Sequence, residues 1–444
     1  MIQRIAEIRI LPPFAIARLG SSPDPMDNYE FAKPEVTGYR RIVPTETLVV
    51  DRKSGNITGA MKPSLVNFRD GSGRIRPVAP FFEVWVRIKG RNELVPLTQT
   101  LLKCAQVRPG SLRWNIKVVN AKTFRRTGEA KDRILAEIKN LQDHHRKKLE
   151  GRAENFLPNK KIVLGEVQYI RPNKQFPEVR LRFTPAFGQV FGPISQASAD
   201  IPMDRQIYDP QNSPWATYKD DRNDPKTTLP PETYARDSLN QNLGYLDDIC
   251  DGIIEFQMEA QGSTFSAYAR IAVGPPDFAP DSLPVRTFHD ELEQAMSGPE
   301  VRGKLHANEL NKDVRDIVRR SVETIRLINI RFWNGGDVGV AQRDKETFSR
   351  AVEPIMDPEV ADALAVRSRH ERVLLALESG TLAWFARVLR RHDKVNDLST
   401  DERRKMPALL RGADGRHLAL TRRQVNKVWV AAELASQPKE TPKK

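Results

Sequence analysis

The chain has 444 residues, 39% of them hydrophobic and 29% charged, and 71 Lys and Arg against 57 Asp and Glu give it a formal charge of +14. That length predicts two or three domains with ample core, and the absence of any apolar run near about 18 residues argues against a membrane-spanning helix. The basic excess permits binding to nucleic acid, an anionic membrane or an acidic protein, but the interspersed acids mean that it demands none of them.

From the start, Arg4, Glu7 and Arg9 interrupt what would have to be an apolar leader core. A cleavable signal is therefore not expected, and a cytoplasmic location is the default. Ile5–Ile10 alternates apolar and polar before Pro12-Pro13, which reads as a strand. Gly71-Ser72-Gly73 reads as a hairpin turn rather than a phosphate cradle. Phe82–Ile88, Ile116–Val119, Val179–Phe183 and Ile253–Met258 alternate in the same way. Ile134, Leu135, Ile138 and Leu141 fit a helical stripe between Glu129 and about Glu150, with Gly151 as C-cap. On that helix His144 and His145 would diverge by about 100° and share no metal ion. Residues 192–240 hold seven prolines and read as an ordered insertion anchored by Tyr208, Trp215, Tyr218 and Tyr234.

After about residue 285 the period becomes helical. Val314, Ile317, Val318, Val322, Ile325 and Ile328 share one face, and Val373 to Leu389 suggests another buried helix. Ser399 with Glu402, and Thr421 with Gln424, have the spacing of capping boxes. Leu420 and Val425 would add a hydrophobic staple to the second. The expected class is α+β: a β-rich scaffold of sandwich-like antiparallel sheets over 1–290, a helical domain over 291–436, and a disordered tail over 437–444.

The two cysteines, Cys104 and Cys250, have no His at ligand spacing and read as reduced thiols. No Walker loop, GxGxxG, HExxH or GxSxG is present. His289-Asp290 is formally an acid–base pair, although a helix start after Thr287 is the plainer account. The acidic turn Asp247-Asp248-Ile249-Cys250-Asp251 lacks the alternating ligand spacing of a calcium loop, so no metal is expected.

Four segments are similar to the lysine epsilon-oxidase and glycine oxidase family of tryptophylquinone enzymes. They are Pro13–Ser22 with Pro34-Glu35 after it, Trp114–Lys122, Leu164-Gly165-Glu166, and Tyr245–Gly252 followed by Gly274–Pro280. The residues that carry the resemblance are Arg18, Glu35, Trp114, Asp247, Asp248, Asp251 and Asp277. Read chemically they are structural: Arg18 is placed to fork onto a carboxylate such as Glu35, and Pro275-Pro276 stops a strand.

The resemblance implies an amine-oxidising centre in which a tryptophan-derived quinone is tied to a cysteine thioether. Beyond Cys250 this chain has Trp333, Trp384 and Trp429 but no cysteine. Cys104 with Trp114 is the pair left to consider, and cysteine tryptophylquinone is expected only if such a crosslink forms. The first reading is therefore a family scaffold without its cofactor, acting as a non-catalytic binding or assembly protein. One alternative is an amine or amino-acid oxidoreductase. The other is nucleic-acid binding through Arg315, Arg319 and Arg326 and through Arg422, Arg423, Asn426 and Lys427. The same basic residues suit an acidic protein partner. A helix-turn-helix reader at Thr421–Trp429 would need a shorter connection than Gly412–Leu420.

Overall fold

The structure, a computed structural model, describes residues 4–32, 42–194, 202–209, 246–276, 285–301, 307–327, 387, 389–394, 397, 399–403, 405 and 419–436. It divides into two compact units. One holds the described residues of Met1–Glu30 and Pro44–Pro276, the other those of Phe31–Val43, Asp277–Val338 and Ile355–Lys444. Sheets dominate the first part of the chain, and the helices lie mostly in the last part.

The principal strands are β1 (Ile5–Leu11), β2 (Phe14–Arg18), β3 (Phe81–Ile88), β4 (Leu94–Pro96), β5 (Arg113–Asn120), β6 (Ile134–Leu141), β7 (Lys147–Gly151), β8 (Ile162–Tyr169), β9 (Arg180–Pro185), β10 (Val190–Pro193), β11 (Gln206–Tyr208), β12 (Leu246–Asp247), β13 (Asp251–Ala260) and β14 (Ser263–Gly274). One sheet runs β1-β3-β9-β8-β7, with β4 added on β3, and every pair is antiparallel. The other runs β6-β5-β13-β14-β2 and is antiparallel except where β2 joins β14.

The alternation in the sequence decides which face of each strand is covered. Phe82, Val84 and Val86 of the first sheet and Trp114, Ile116, Ile254 and Phe256 of the second are wholly buried in one shared apolar core. That is a sandwich arrangement, in which two inner faces seal each other. Each of the larger side chains contributes roughly 1.5–3 kcal/mol by leaving water. Gly20 follows β2 because the backbone of Ile75–Pro77 passes close by. A Cβ there would stand 2.4 Å from the Pro77 nitrogen.

The expected helix over 129–150 is overturned. Its residues form β6 and β7, joined by a turn that carries His144 and His145. Ile134 and Ala136 point inward, and Leu135 between them is 40% exposed, as in a strand. Beyond Ile138 the register slips by one residue, with Asn140 at φ 53°. That bulge places Ile134, Ile138 and Leu141 at spacings that mimic a helix. Gly151 is a strand residue, and a Cβ there would meet Ile134 and Leu164 at 2.9 Å. Two short helices in this unit were not expected: α1 (Gln99–Cys104), capped by Thr98, and α2 (Lys122–Thr127), closed by Gly128 at φ 74°.

In the stretch read as an insertion, Tyr208 of β11 is wholly buried. Trp215, Tyr218 and Tyr234 lie outside the described residues. The second unit contains α3 (Phe288–Ser297), α4 (Ala307–Leu327), α5 (Thr400–Arg403) and α6 (Arg422–Ser436). Val314, Ile317 and Val318 of α4 pack with Val285, Leu420, Val425 and Val428 in a separate apolar core. The capping box at Thr421 and Gln424 has both of its hydrogen bonds, 2.8 and 3.1 Å long. At the other box the Glu402 N–H donates to the Ser399 hydroxyl at 3.4 Å. The tail over 437–444, and most of the helix expected between Val373 and Leu389, lie outside the described residues. Among those described, no helix is long and apolar enough to cross a membrane.

Candidate functional site

The acidic turn between β12 and β13 is where three of the four family-like segments meet. Asp247 is wholly buried, and its carboxylate holds the Lys122 ammonium at 2.5 and 2.7 Å. The Asn120 amide donates to the Asp247 carbonyl at 2.8 Å, and the Asn120 side-chain oxygen accepts from the Lys122 N–H. The end of the Trp114–Lys122 segment is thus bound to the start of the turn. The Cys250 thiol donates to the Leu164 carbonyl at 3.2 Å, which brings in the Leu164-Gly165-Glu166 segment.

Asp248 is the chemically unusual member. One carboxyl oxygen accepts from the Gln189 N–H at 2.8 Å, while the other is buried with no partner. Burial, with the Asp247 charge pushing the same way, raises its pKa to about 8. The side chain is therefore held toward its protonated form. Burial also pushes the Cys250 thiol up, and the neighbouring carboxylates add to the effect. A thiol so placed is a poor nucleophile. Asp251, exposed at the start of β13, stands apart from this buried pair. Among the described residues no three His, Cys, Asp or Glu side chains are placed to share a metal ion.

Arg18, at the end of β2, is 9% exposed and makes one long hydrogen bond, 3.4 Å, to the Pro275 carbonyl. Its guanidinium lies over Gly274, where a Cβ would stand 2.8 Å from a terminal nitrogen. The first family-like segment therefore meets the Gly274-Pro275-Pro276 exit. Glu35 and Asp277 lie outside the described residues, and the expected Arg18–Glu35 fork lies there with them.

Cys104 and Trp114 do not fit a quinone thioether. Cys104 is a free thiol at the exposed end of α1. Trp114 is wholly buried, its ring 4.8 Å from Phe256 and 6.4 Å from Tyr169. A carbonyl on that indole would face hydrocarbon, where no substrate amine arrives. Trp333 and Trp384 lie outside the described residues.

In the helical unit the predicted basic residues divide into two groups. Arg423 and Lys427 turn inward onto Glu293, at 3.0 and 2.8 Å, and Lys427 also reaches Asp313 at 2.7 Å. Arg422 and Asn426 line a cleft of about 340 Å³ with Arg391, Trp429 and Pro299–Val301. On α4 Arg315 is exposed and Arg319 is half-buried, and the Arg326 side chain is outside the described set. Asp290 completes a capping box with Thr287 and binds Arg320 at 2.9 Å, so it is not an acid–base partner of the exposed His289. A second cleft, of about 280 Å³, is lined by His289, Asp290, Glu293, Asp313, Arg320 and Lys427 among others.

The sequence missed the Asp247–Lys122 and Asp290–Arg320 pairs, because their members lie 125 and 30 positions apart. The available signal was an acidic turn and a lysine, each inside a family-like segment.

No protein-family profile matches this sequence, and no curated protein matches it. Solved structures of the L-Lys epsilon-oxidase from Marinomonas mediterranea show weak similarity. Two, one of them the Schiff base intermediate with L-Lys, have a TM-score of 0.39 at 14% identity over 76% of this chain and 47% of theirs. A further structure of the epsilon-lysine oxidase has a TM-score of 0.36 at the same identity and coverage. The chain spans about half the length of the proteins it resembles.

Proposed function

We propose that this chain is a lysine epsilon-oxidase-like scaffold that works as a non-catalytic binding or assembly protein. The burial of Trp114 carries the reading, because the tryptophan held in common with the family-like segment is a core residue. Its neighbours in that segment, Asn120 and Lys122, tie the acidic turn in place rather than facing a substrate. The outer face of the second sheet supports a binding role. Phe14, Ile16, Ile253, Tyr268 and Leu135 point outward across its strands with 39–70% exposure. They alternate there with Lys117, Glu255 and Arg270, and a face mixing exposed apolar and charged groups suits contact with another protein.

Intact mass, visible absorbance and thiol titration test this. The expected outcome is the unmodified mass, no quinone band, one fast-reacting thiol in the folded protein and two after unfolding. A mass matching a Trp–Cys crosslink, or hydrogen peroxide release with an amine, would overturn it and establish the oxidoreductase reading.

A further inference from the structure

We infer that the cleft between α6 and Pro299–Val301 binds a nucleotide unit, with a planar base against Trp429 and phosphate at Arg391 and Arg422. Arg422, Asn426, Trp429 and Val430 fall on one face of α6 by their spacing, and all four line the cleft. Its opposite wall is fixed. The Asn426 amide donates to the Pro299 carbonyl at 2.9 Å, and the Arg423 guanidinium donates to the carbonyls of Gly298 and Glu300 at 3.2 and 2.7 Å. The site is therefore preformed and loses little freedom on binding.

The electrostatics favour an anion. Arg422 reaches one oxygen of Asp393 at 2.7 Å and Arg391 reaches the other at 3.5 Å. Two guanidinium groups thus share one carboxylate, and their side chains remain 47% and 38% exposed. Arg387 lies with its guanidinium carbon 5.9 Å from the centre of the Trp429 ring. Among the described lining residues the charged ones are Arg391, Arg422 and Glu300. An aromatic ring beside partly exposed guanidinium groups is the pairing that stacks a base and grips its phosphate. Arg423 and Lys427 take no part, because both are committed to Glu293.

The same ligand chemistry comes from a free nucleotide or from single-stranded nucleic acid. Calorimetric titration of the full chain with ADP, and anisotropy with a labelled oligothymidylate, separate the two sources. Either ligand binding tighter than about 1 mM is expected, with binding weaker at higher salt. The Arg391→Gln, Arg422→Gln double variant should lose about tenfold in affinity. Trp429→Leu, which keeps an apolar contact with the core, should lose about as much, with far-UV dichroism and melting confirming that both variants fold. Inorganic pyrophosphate should bind more weakly than ADP. Absence of binding by either ligand, indifference to both variants, or pyrophosphate binding as tightly as ADP overturns the inference.

Discussion

The two units are built round different interiors. In the β unit the shared interior of the two sheets is built from side chains such as Phe82, Trp114 and Phe256, with Asp247–Lys122 and Asp27–Arg182 as inward ion pairs. In the helical unit, α3 turns Asp290 and Glu293 inward, onto Arg320, Arg423 and Lys427. It turns Phe288, Leu292 and Met296 outward, at 77%, 44% and 85% exposure. The first arrangement is held by area removed from water and is non-directional. The second adds matched charges to an apolar core of its own, and such pairs are unforgiving because the loss of one partner strands the other.

The largest expected effect tests the first half of this contrast. Trp114→Ala leaves a cavity the size of an indole between the sheets and should cost about 3–5 kcal/mol. Denaturant titration followed by near-UV dichroism measures it. A cost below about 1 kcal/mol would mean that the sheets close over the gap and that the core is not close-packed.

Arg320→Met sharpens the other half. Arg320 and Asp290 are each about 8% exposed as side chains, so removing the cation strands a buried carboxylate. The expected cost is about 3 kcal/mol, insensitive to salt because the pair is shielded from solvent. If the variant melts with the wild type, the α3 interface does not depend on its charges and the contrast fails.

How far these arrangements were legible depends on the range of the signal. Period-two alternation is local, so β1, β3, β5, β9 and β13 could be read directly. Capping at Thr421 is also local, involving two residues three apart. The β6 strand was misread because one extra residue near Asn140 converts a strand pattern into helical spacing. No local signal shows that Asp248 is buried or that Lys122 meets Asp247, because both follow from strand pairing across the chain. The acidic turn was therefore visible as a motif but not as a site. The basic residues of α6 were likewise visible, but only the fold shows which are paired off inward and which line a cleft.

Asp248→Asn measures a place where the β unit buries an acid without a cation beside it to match its charge. Its pKa is raised by burial from the usual value near 3.8 to about 8. Between those values the folded chain keeps a proton that the unfolded chain has lost, so wild-type stability falls as pH rises through that window. Asparagine keeps an oxygen for the Gln189 N–H and does not titrate. The variant should gain on wild type steadily as pH rises from about 4 to 8, with the gap closing toward pH 4. A gap that is constant with pH would show that Asp248 is ionised in the fold.

The smallest effect is expected where the helical unit looks most improper. Phe288→Ser and Met296→Ser remove large apolar groups from α3, yet both groups stand mostly in water. Burial is the source of their stabilising power, and here little has been removed from solvent, so each change should stay within about 0.5 kcal/mol. The comparison with Trp114 is direct, because all three are large apolar side chains and only their exposure differs. Melting temperatures of the two variants check it, and a loss approaching that of Trp114→Ala would mean that this face of α3 is covered in the folded protein. In that case the inward charges and the outward apolar stripe would both be interface, and α3 would be held from two sides.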